Sequence, residues 1–171
     1  MAVSRRREAG EALSLWRLAA LVVAAFSRGP SFAHVLEAPP RLGRWAPELW
    51  REATVFGGQY QLFGSVGGAL DAAAVAVTAI MAYRVRGQAG AGWAIAGAAC
   101  FALSLAAWFA IVAPANGVLA TWAPGPLPAN FEAVRNRWEV GHLVVEAWKS
   151  LGFLAVALSV AQAARPDRRI G

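Results

Sequence analysis

The chain has 171 residues, of which 58% are hydrophobic and only 15% are charged, and its net charge is +6. Soluble domains carry about a quarter of charged residues, so this composition excludes an ordinary soluble domain and indicates a small integral membrane protein. The basic residues are dispersed around apolar segments, which argues against nucleic-acid binding, and the single cysteine, Cys100, excludes an intrachain disulfide.

The first apolar segment spans residues 13 to about 36 and follows a polar N-terminus, residues 1–12. Crossing a bilayer takes about 20 helical residues, so the segment is long enough for a membrane helix. We predict a retained helix rather than a cleaved signal peptide, because no convincing small-residue cleavage site follows it. Gly29 and Pro30 predict a kink, and three prolines in residues 37–54 predict a connection that is not one continuous helix.

Three further apolar segments follow, at about residues 55–83, 92–113 and 133–164. A connection with three prolines, residues 117–131, separates the last two. The pattern predicts an all-α, membrane-embedded four-helix bundle, formed by residues 13–164 as a single transmembrane domain. A basic tail, residues 165–171, ends the chain.

The distribution of arginine predicts the orientation of the bundle. Basic residues with few acids mark the N-terminus, the link that contains Arg84 and Arg86, and the tail. Because cytoplasmic loops carry an excess of Lys and Arg, these three regions are predicted to be cytoplasmic. Both termini then lie in the cytoplasm, and the other two connections face outward.

The fourth segment carries many ionisable residues for a membrane helix. Successive spacings of 4, 3, 4 and 3 place five of them on one helical face, namely Arg135, Glu139, His142, Glu146 and Lys149. Ionisable groups are costly at membrane depth, so we expect this stripe to face the bundle interior and to find partners there.

Depth along the helices predicts two of these partners. At about 1.5 Å per residue from the outer end, Arg28 and Glu146 lie about 14 Å deep, and Asp71 and Lys149 about 20 Å deep. We therefore predict the ion pairs Arg28 with Glu146 and Asp71 with Lys149. These pairs either hold the helices in register or form a proton path or a pocket for an anionic substrate.

The two histidines of the chain are predicted to meet near the outer end. His34 and Glu37 lie three residues apart on the first helix, and Glu139 and His142 lie three apart on the fourth. Such pairs are similar to the Glu-x-x-His pattern by which helix bundles hold metal ions, so a metal bound by these four residues is one hypothesis. The alternative is a polar cluster that only stabilises the bundle. The set is incomplete against the di-iron pattern, and the sequence requires no cofactor.

Three short motifs give the chain a resemblance to a known family. They are H-V-L-E-A-P, which starts at His34, V-A-P-A-N, which ends at Asn116, and R-W-E-V-G-H, which ends at His142. Together they resemble the anthrone-oxygenase-like family of small four-helix integral membrane proteins, most of them bacterial. Family members often carry an arginine three residues beyond this histidine, where the chain has Val145.

The resemblance implies an oxidoreductase of the bacterial inner membrane that acts on a lipophilic aromatic or quinone-like molecule. Fungal relatives oxidise anthrones to anthraquinones with molecular oxygen and without a conventional cofactor. By this resemblance His142 or Glu139 removes a proton from the substrate, and Asn116, Arg137 and Trp138 correspond to further family positions. The predicted pocket in the outer half of the bundle is lined by His34, Glu37, Asn116, Arg137, Trp138, Glu139 and His142.

A non-enzymatic membrane subunit or a small transporter is the alternative function, in which the polar residues only hold the bundle together. In its favour, the chain lacks a nucleotide-binding glycine loop, a Gly-x-Ser-x-Gly elbow and a Cys-x-x-Cys-His haem attachment. The predicted partners are the lipid bilayer and a lipophilic small molecule. The substrate, the oligomeric state and whether the protein is an enzyme stay open at this stage.

Overall fold

The chain folds into helices, and this computed structural model describes residues 2–164. The predicted basic tail, residues 165–171, lies outside the described residues. The helices are α1 (Ala2–Gly43), α2 (Pro47–Arg51), α3 (Gln59–Arg84), α4 (Ala91–Ala107), α5 (Ala113–Leu119) and α6 (Phe131–Ala163). One π-helical turn, Glu52–Phe56, follows α2, and a second, Trp108–Val112, joins α4 to α5. No strand occurs within the described range, which confirms the all-α fold class.

Four helical stretches are long and apolar enough to cross a membrane: Gly10–Gly43, Gln61–Arg84, Ala91–Leu119 and Phe131–Ala163. Each exceeds the roughly 20 residues that a bilayer requires. They overlap the four apolar segments predicted from the sequence. Their outward faces carry large apolar side chains such as Leu151 and Leu154, which suits a hydrocarbon environment.

Two helices extend beyond their predicted ends. The prediction that residues 37–54 form a connection is wrong in its first part, because α1 continues through Pro39 and Pro40 to Gly43. Each proline removes one backbone hydrogen bond, but its fixed φ is already close to the helical value. Likewise, the third stretch does not end at Pro114, because this residue lies in the first turn of α5, where helices tolerate proline.

The long helices pack as a ring in which α1 contacts α3 and α6, and α4 also contacts α3 and α6. Glycines let α4 and α6 approach each other closely. A Cβ atom added to Gly97 would lie 2.8 Å from Val156 Cγ2, and one added to Gly152 would lie 2.9 Å from Phe101 Cε2. Small residues at such contacts are typical of membrane helix pairs.

One end of the bundle is closed by aromatic side chains and by a tied loop. Trp50 of α2 is fully buried and contacts Phe131 edge to face, with 5.7 Å between the ring centroids. Arg51 donates a hydrogen bond of 2.8 Å to the carbonyl oxygen of Gly125, which ties α2 to the connection before α6. We call this end, made of residues 44–58 and 120–130, the capped end.

The close contact between α4 and α6 leads to a stability prediction. Gly97→Ala should lower the free energy of unfolding by about 1–3 kcal/mol, because the added methyl group overlaps Val156. Gly92→Ala, in the same helix, meets open space and should not destabilise the protein. The measurement is thermal unfolding of the purified protein in detergent. Equal midpoints for the two variants would contradict the packing.

Candidate functional site

The ionisable stripe of α6 faces the interior of the bundle, as predicted. Glu139 is fully buried, Lys149 is 2% exposed, and Arg135 and Glu146 are also buried. His142 lines an internal cavity. The helical period of 3.6 residues puts all five on one face, and the neighbouring helices cover that face.

A matching stripe lies on α1, which packs against α6. Its members follow the same spacing of 4, 3, 4 and 3 and are Ser27, Ser31, His34, Ala38 and Arg41. All except the half-buried Ser31 are buried. Because the two stripes have the same spacing, polar groups of α1 lie opposite polar groups of α6 at successive depths.

The structure contains both predicted ion pairs. Arg28 Nε lies 3.0 Å from Glu146 Oε1, and Lys149 Nζ lies 2.6 Å from Asp71 Oδ1. Ser150 joins the first pair, since its hydroxyl accepts from Arg28 at 2.9 Å and donates to Glu146 at 2.7 Å. Each charge in these two pairs thus has an opposite partner, which offsets the cost of removing it from water.

The lysine pair belongs to a larger hydrogen-bond network. Lys149 Nζ also donates to Ser31 Oγ at 2.7 Å and to the carbonyl oxygen of Ser27 at 3.3 Å. Ser27 in turn donates to Asp71 Oδ1 at 2.7 Å. An ammonium group has three donors, so Lys149 is fully satisfied by the protein. This saturation favours the structural interpretation of the pair over a role in binding an anion.

Above this network the two histidines come together. The ring centroids of His34 and His142 lie 4.3 Å apart, and each ring lies 4.6 Å from the ring of Trp138. The prediction that the two histidines meet at one depth is therefore confirmed. His34 is only 4% exposed, and its Nε2 lies 3.5 Å from Glu139 Oε2 without a hydrogen bond.

Glu139 occupies a position behind His34 rather than in the cavity. The Trp50 indole donates a hydrogen bond of 2.8 Å to its Oε1, and Arg41 Nη1 lies 4.0 Å from the same oxygen. Glu139 is not among the residues that line the cavity. In this arrangement the carboxylate reaches the cavity only through His34, and its predicted contact with a substrate stays a prediction.

Glu37 does not join the histidines either. It forms an ion pair with Arg41 Nη2 at 2.5 Å, one helical turn further along α1, and its side chain is 45% exposed. The pair exists because α1 remains helical beyond residue 37. Between residues 2 and 164 no group of three or more His, Cys, Asp or Glu side chains is arranged to hold a metal ion. The metal hypothesis for His34, Glu37, Glu139 and His142 does not fit this arrangement.

Two of the three predicted substrate-binding residues do border the cavity. The Trp138 indole donates a hydrogen bond of 2.7 Å to Asn116 Oδ1, and both residues line the cavity. The amide therefore fixes the orientation of an aromatic wall. A neighbouring π-helical turn supplies Trp108 to the same cavity, and such turns often occur at functional sites.

Arg137, the third of these residues, is not among those that line the cavity. Its Nη2 donates to the carbonyl oxygen of Ala110 at 3.1 Å, and its Nε donates to that of Ile111 at 3.2 Å. Pro114 has no N–H, so the Ala110 carbonyl lacks its usual helical donor four residues on. Arg137 supplies that missing hydrogen bond and stabilises the join between α4 and α5.

The cavity has a volume of about 590 Å³, counting its open mouth. Ser31, Asp71 and Lys149 contribute polar groups to its lining, and α3 contributes glycines. Its aromatic wall consists of His34, Phe63, Trp108, Trp138 and His142.

Sequence reasoning missed Arg41, Trp50, Phe63 and Trp108. Arg41 and Trp50 lie in residues 37–54, which we had treated as a connection without a role in the site. Arg41 could have been found from its position seven residues after His34, because residues at that spacing share one helical face if α1 continues. Trp108 gave no comparable signal, because its direction depends on the π-helical turn.

Comparison of the chain with protein-family models, with curated proteins and with solved structures finds no match. A function for the protein is therefore argued from its own residues. These residues are two adjoining histidines on an aromatic cavity, a buried carboxylate behind them and two ion pairs deeper in the bundle.

The saturated ion pair gives a second stability prediction. Lys149→Met should cost about 3–5 kcal/mol of unfolding free energy, because Asp71 would remain buried and charged without its partner. The double variant Lys149→Met with Asp71→Leu should lose less than Lys149→Met alone. The measurement is denaturant unfolding in detergent micelles, with the exposed Arg44→Met as a control that changes the free energy by about 0.5 kcal/mol or less. Strictly additive losses would rule out the coupling.

Proposed function

We propose that this protein is a membrane-embedded oxidoreductase that acts on a lipophilic aromatic or quinone-like molecule bound in the cavity. The observation that carries the proposal is the pair of histidine rings, 4.3 Å apart, which both line one aromatic cavity. Imidazole is the side chain most often used to move protons in catalysis, and the flat walls suit a planar ring system.

The proposed membrane placement follows from composition. Four apolar helices cross the bilayer, both termini are cytoplasmic, and the capped end faces outward. The arginines of the described link between α3 and α4 and of the N-terminal sequence support this orientation. The family resemblance supports the bacterial inner membrane as the location.

In the proposed reaction a neutral histidine acts as a general base toward an activated C–H group between two aromatic rings, as in an anthrone. The C–H bond breaks, the proton moves to His142 or His34, and the electron pair remains delocalised over the ring system. A base in this position accelerates proton removal by about 10²–10⁴-fold. No metal ligand set is needed for this step.

Molecular oxygen is the proposed oxidant. The carbanion forms a C–O bond to oxygen, and the protonated histidine returns its proton to give a hydroperoxide. Loss of the second C–H proton and cleavage of the O–O bond then release water and leave a ketone. One anthrone and one O₂ thus give one anthraquinone and one water, so electrons and atoms balance without a further reductant.

The surrounding residues have supporting roles in this proposal. Glu139, held by Trp50 and next to Arg41, orients His34 and stabilises its protonated form, as a carboxylate does behind a catalytic imidazole. Asn116 holds Trp138 in place as a stacking face. Asn116 and Trp138 both line the cavity.

A non-enzymatic role remains the second candidate, and one observation favours it. Lys149 and Arg28 have their charges satisfied by the protein, which is the arrangement expected of groups that only assemble a bundle. The two candidates make different predictions for His34 and His142. If their role is purely structural, the protein turns over no aromatic substrate.

The test of the enzyme proposal is oxidation of anthrone by the protein in phosphatidylcholine vesicles. Oxygen uptake and anthraquinone absorbance should rise in a one-to-one ratio. His34→Ala and His142→Ala should each lower kcat/KM by about a hundredfold or more, because the base is removed or misplaced. Arg137→Gln should keep the rate, since Arg137 lies outside the cavity. A wild-type protein that leaves anthrone unchanged would count against this reaction.

The positioning role of Glu139 predicts a separate kinetic signature. Glu139→Gln keeps an oxygen that accepts from Trp50 but loses the negative charge beside His34. It should lower kcat and leave KM unchanged, because Glu139 does not line the cavity. A rise in KM with constant kcat would instead indicate direct contact with the substrate.

A further inference from the structure

We infer that the substrate reaches the cavity sideways, from the acyl-chain layer of the membrane, through a mouth between α3 and the segment 108–119. Gly64 and Gly68 edge this mouth. The inference rests on the proposed function and narrows its substrate class to uncharged, membrane-dissolved planar molecules. It is carried by the closure of the capped end, the divergence of the helices and the exposure of the two glycines.

Access along the bundle axis is closed at the capped end. Trp50 of the capped end is fully buried, and so is Leu119, which directly precedes residues 120–130; Phe131, which directly follows them, is nearly so. These side chains belong to one apolar cluster that also contains Trp138, a wall of the cavity. Arg51 fastens the connection 120–130 over this cluster. A molecule from the aqueous side would have to displace this packing.

The side of the bundle is open at the level of the histidines. α3 packs against α1 and α4, but it makes no comparable packing with the π-helical turn Trp108–Val112 or with α5, both of which pack against α6. The helix ring is therefore closed where α3 packs against α4, and it is open between α3 and the segment 108–119. Residues from both sides of the gap line the cavity, with Gly67 on α3 and Asn116 on α5.

Two glycines form the edge of this gap. Of the residues that line the cavity, Gly64 and Gly68 are the exposed ones, so they border the cavity and the outside together. A Cβ atom at either position would meet nothing within 4 Å. The neighbouring Leu62 and Val66 are exposed apolar side chains within an apolar stretch. The mouth thus opens on a surface suited to hydrocarbon, not to water.

The two histidine rings mark the inner end of this route. His34 and His142 both line the cavity, with 4.3 Å between their ring centroids. The Nε2 atom of His34 lies 3.5 Å from Glu139, which is outside the cavity lining. A planar molecule that enters by this route therefore meets the rings of His34, His142 and Trp138.

The route selects the substrate by charge and shape. A molecule that arrives through the acyl chains must be uncharged, because ions are strongly excluded from that layer. Once inside, it meets aromatic and imidazole rings, while Lys149 is already engaged by Ser31 and Asp71. An uncharged planar aromatic molecule with a polar oxygen satisfies both conditions.

The test is photolabelling of the protein in phosphatidylcholine vesicles with a small apolar aryl diazirine that dissolves in the acyl-chain layer. A sulfonated, charged aryl diazirine serves as the aqueous counterpart. Mass spectrometry then reports which residues carry the label. We expect the apolar reagent to label the lipid-facing Leu151 and Leu154 and also Trp138 and His142 inside the cavity, and the charged reagent to label none of them.

Variants of the mouth make the test specific. Gly64→Phe and Gly68→Phe should lower labelling of Trp138 and His142 about tenfold, the effect of a steric cost of about 1.4 kcal/mol, and leave Leu151 labelled. Gly92→Phe is the matched control, since Gly92 is also an exposed helical glycine in open space and lies away from the mouth. Gly64→Leu repeats the test with a smaller side chain, and circular dichroism checks the helix content of each variant.

Each outcome decides the inference. Labelling of the cavity by the charged reagent, its absence with the apolar reagent in the wild type, or equal labelling in all glycine variants would overturn it. Because photolabelling needs no turnover, a protein that admits the apolar reagent but fails to oxidise anthrone keeps its lateral mouth and loses only the proposed reaction.

Discussion

Charged side chains buried inside an apolar bundle must meet opposite charges, and this requirement organises the protein. An unpaired ion at such a position costs several kcal/mol, whereas a pair with further hydrogen bonds is tolerated. Lys149 meets this requirement with Asp71, and Glu146 does so with Arg28. The pairs connect α6 to α1 and α3, so a helix that slid by one turn would leave both carboxylates without partners.

This pairing also sets the depth at which the histidines meet. The stripes of α1 and α6 share one spacing, so the contacts of Lys149 with Ser27 and Ser31 carry His34 to the level of His142. The layer around Lys149 and the layer of the two histidines then differ in how far the protein satisfies their polar groups. The ammonium group of Lys149 is saturated by the protein, while the rings of His34 and His142 border a cavity. Stability therefore resides in the lower layer, and the proposed chemistry in the upper one.

The irregular segments decide how that upper layer meets its surroundings. The short helix α2 and its π-helical turn bring Trp50 over Glu139 and close the end of the bundle. The second π-helical turn brings Trp108 to the cavity, and α3 contributes Gly64, Gly67 and Gly68 to the same lining. Two deviations from regular α-helix, the turns Glu52–Phe56 and Trp108–Val112, thus lie next to the site.

The spacing of residues along one helix is a local property, so the sequence alone established the apolar helices, the polar face of α6 and the depths that paired Arg28 with Glu146. Which side chains of different helices meet depends on where each helix ends, and the local sequence signals did not predict those ends correctly. Prolines predicted an early end for α1, yet the helix continues and brings Arg41 to Glu139 while diverting Glu37 from the histidines. Arg137 was assigned to the substrate from its motif, but Pro114 leaves a backbone carbonyl that takes up its donors. Only the tertiary structure decided these partners, because they depend on packing between distant segments rather than on periodicity within one.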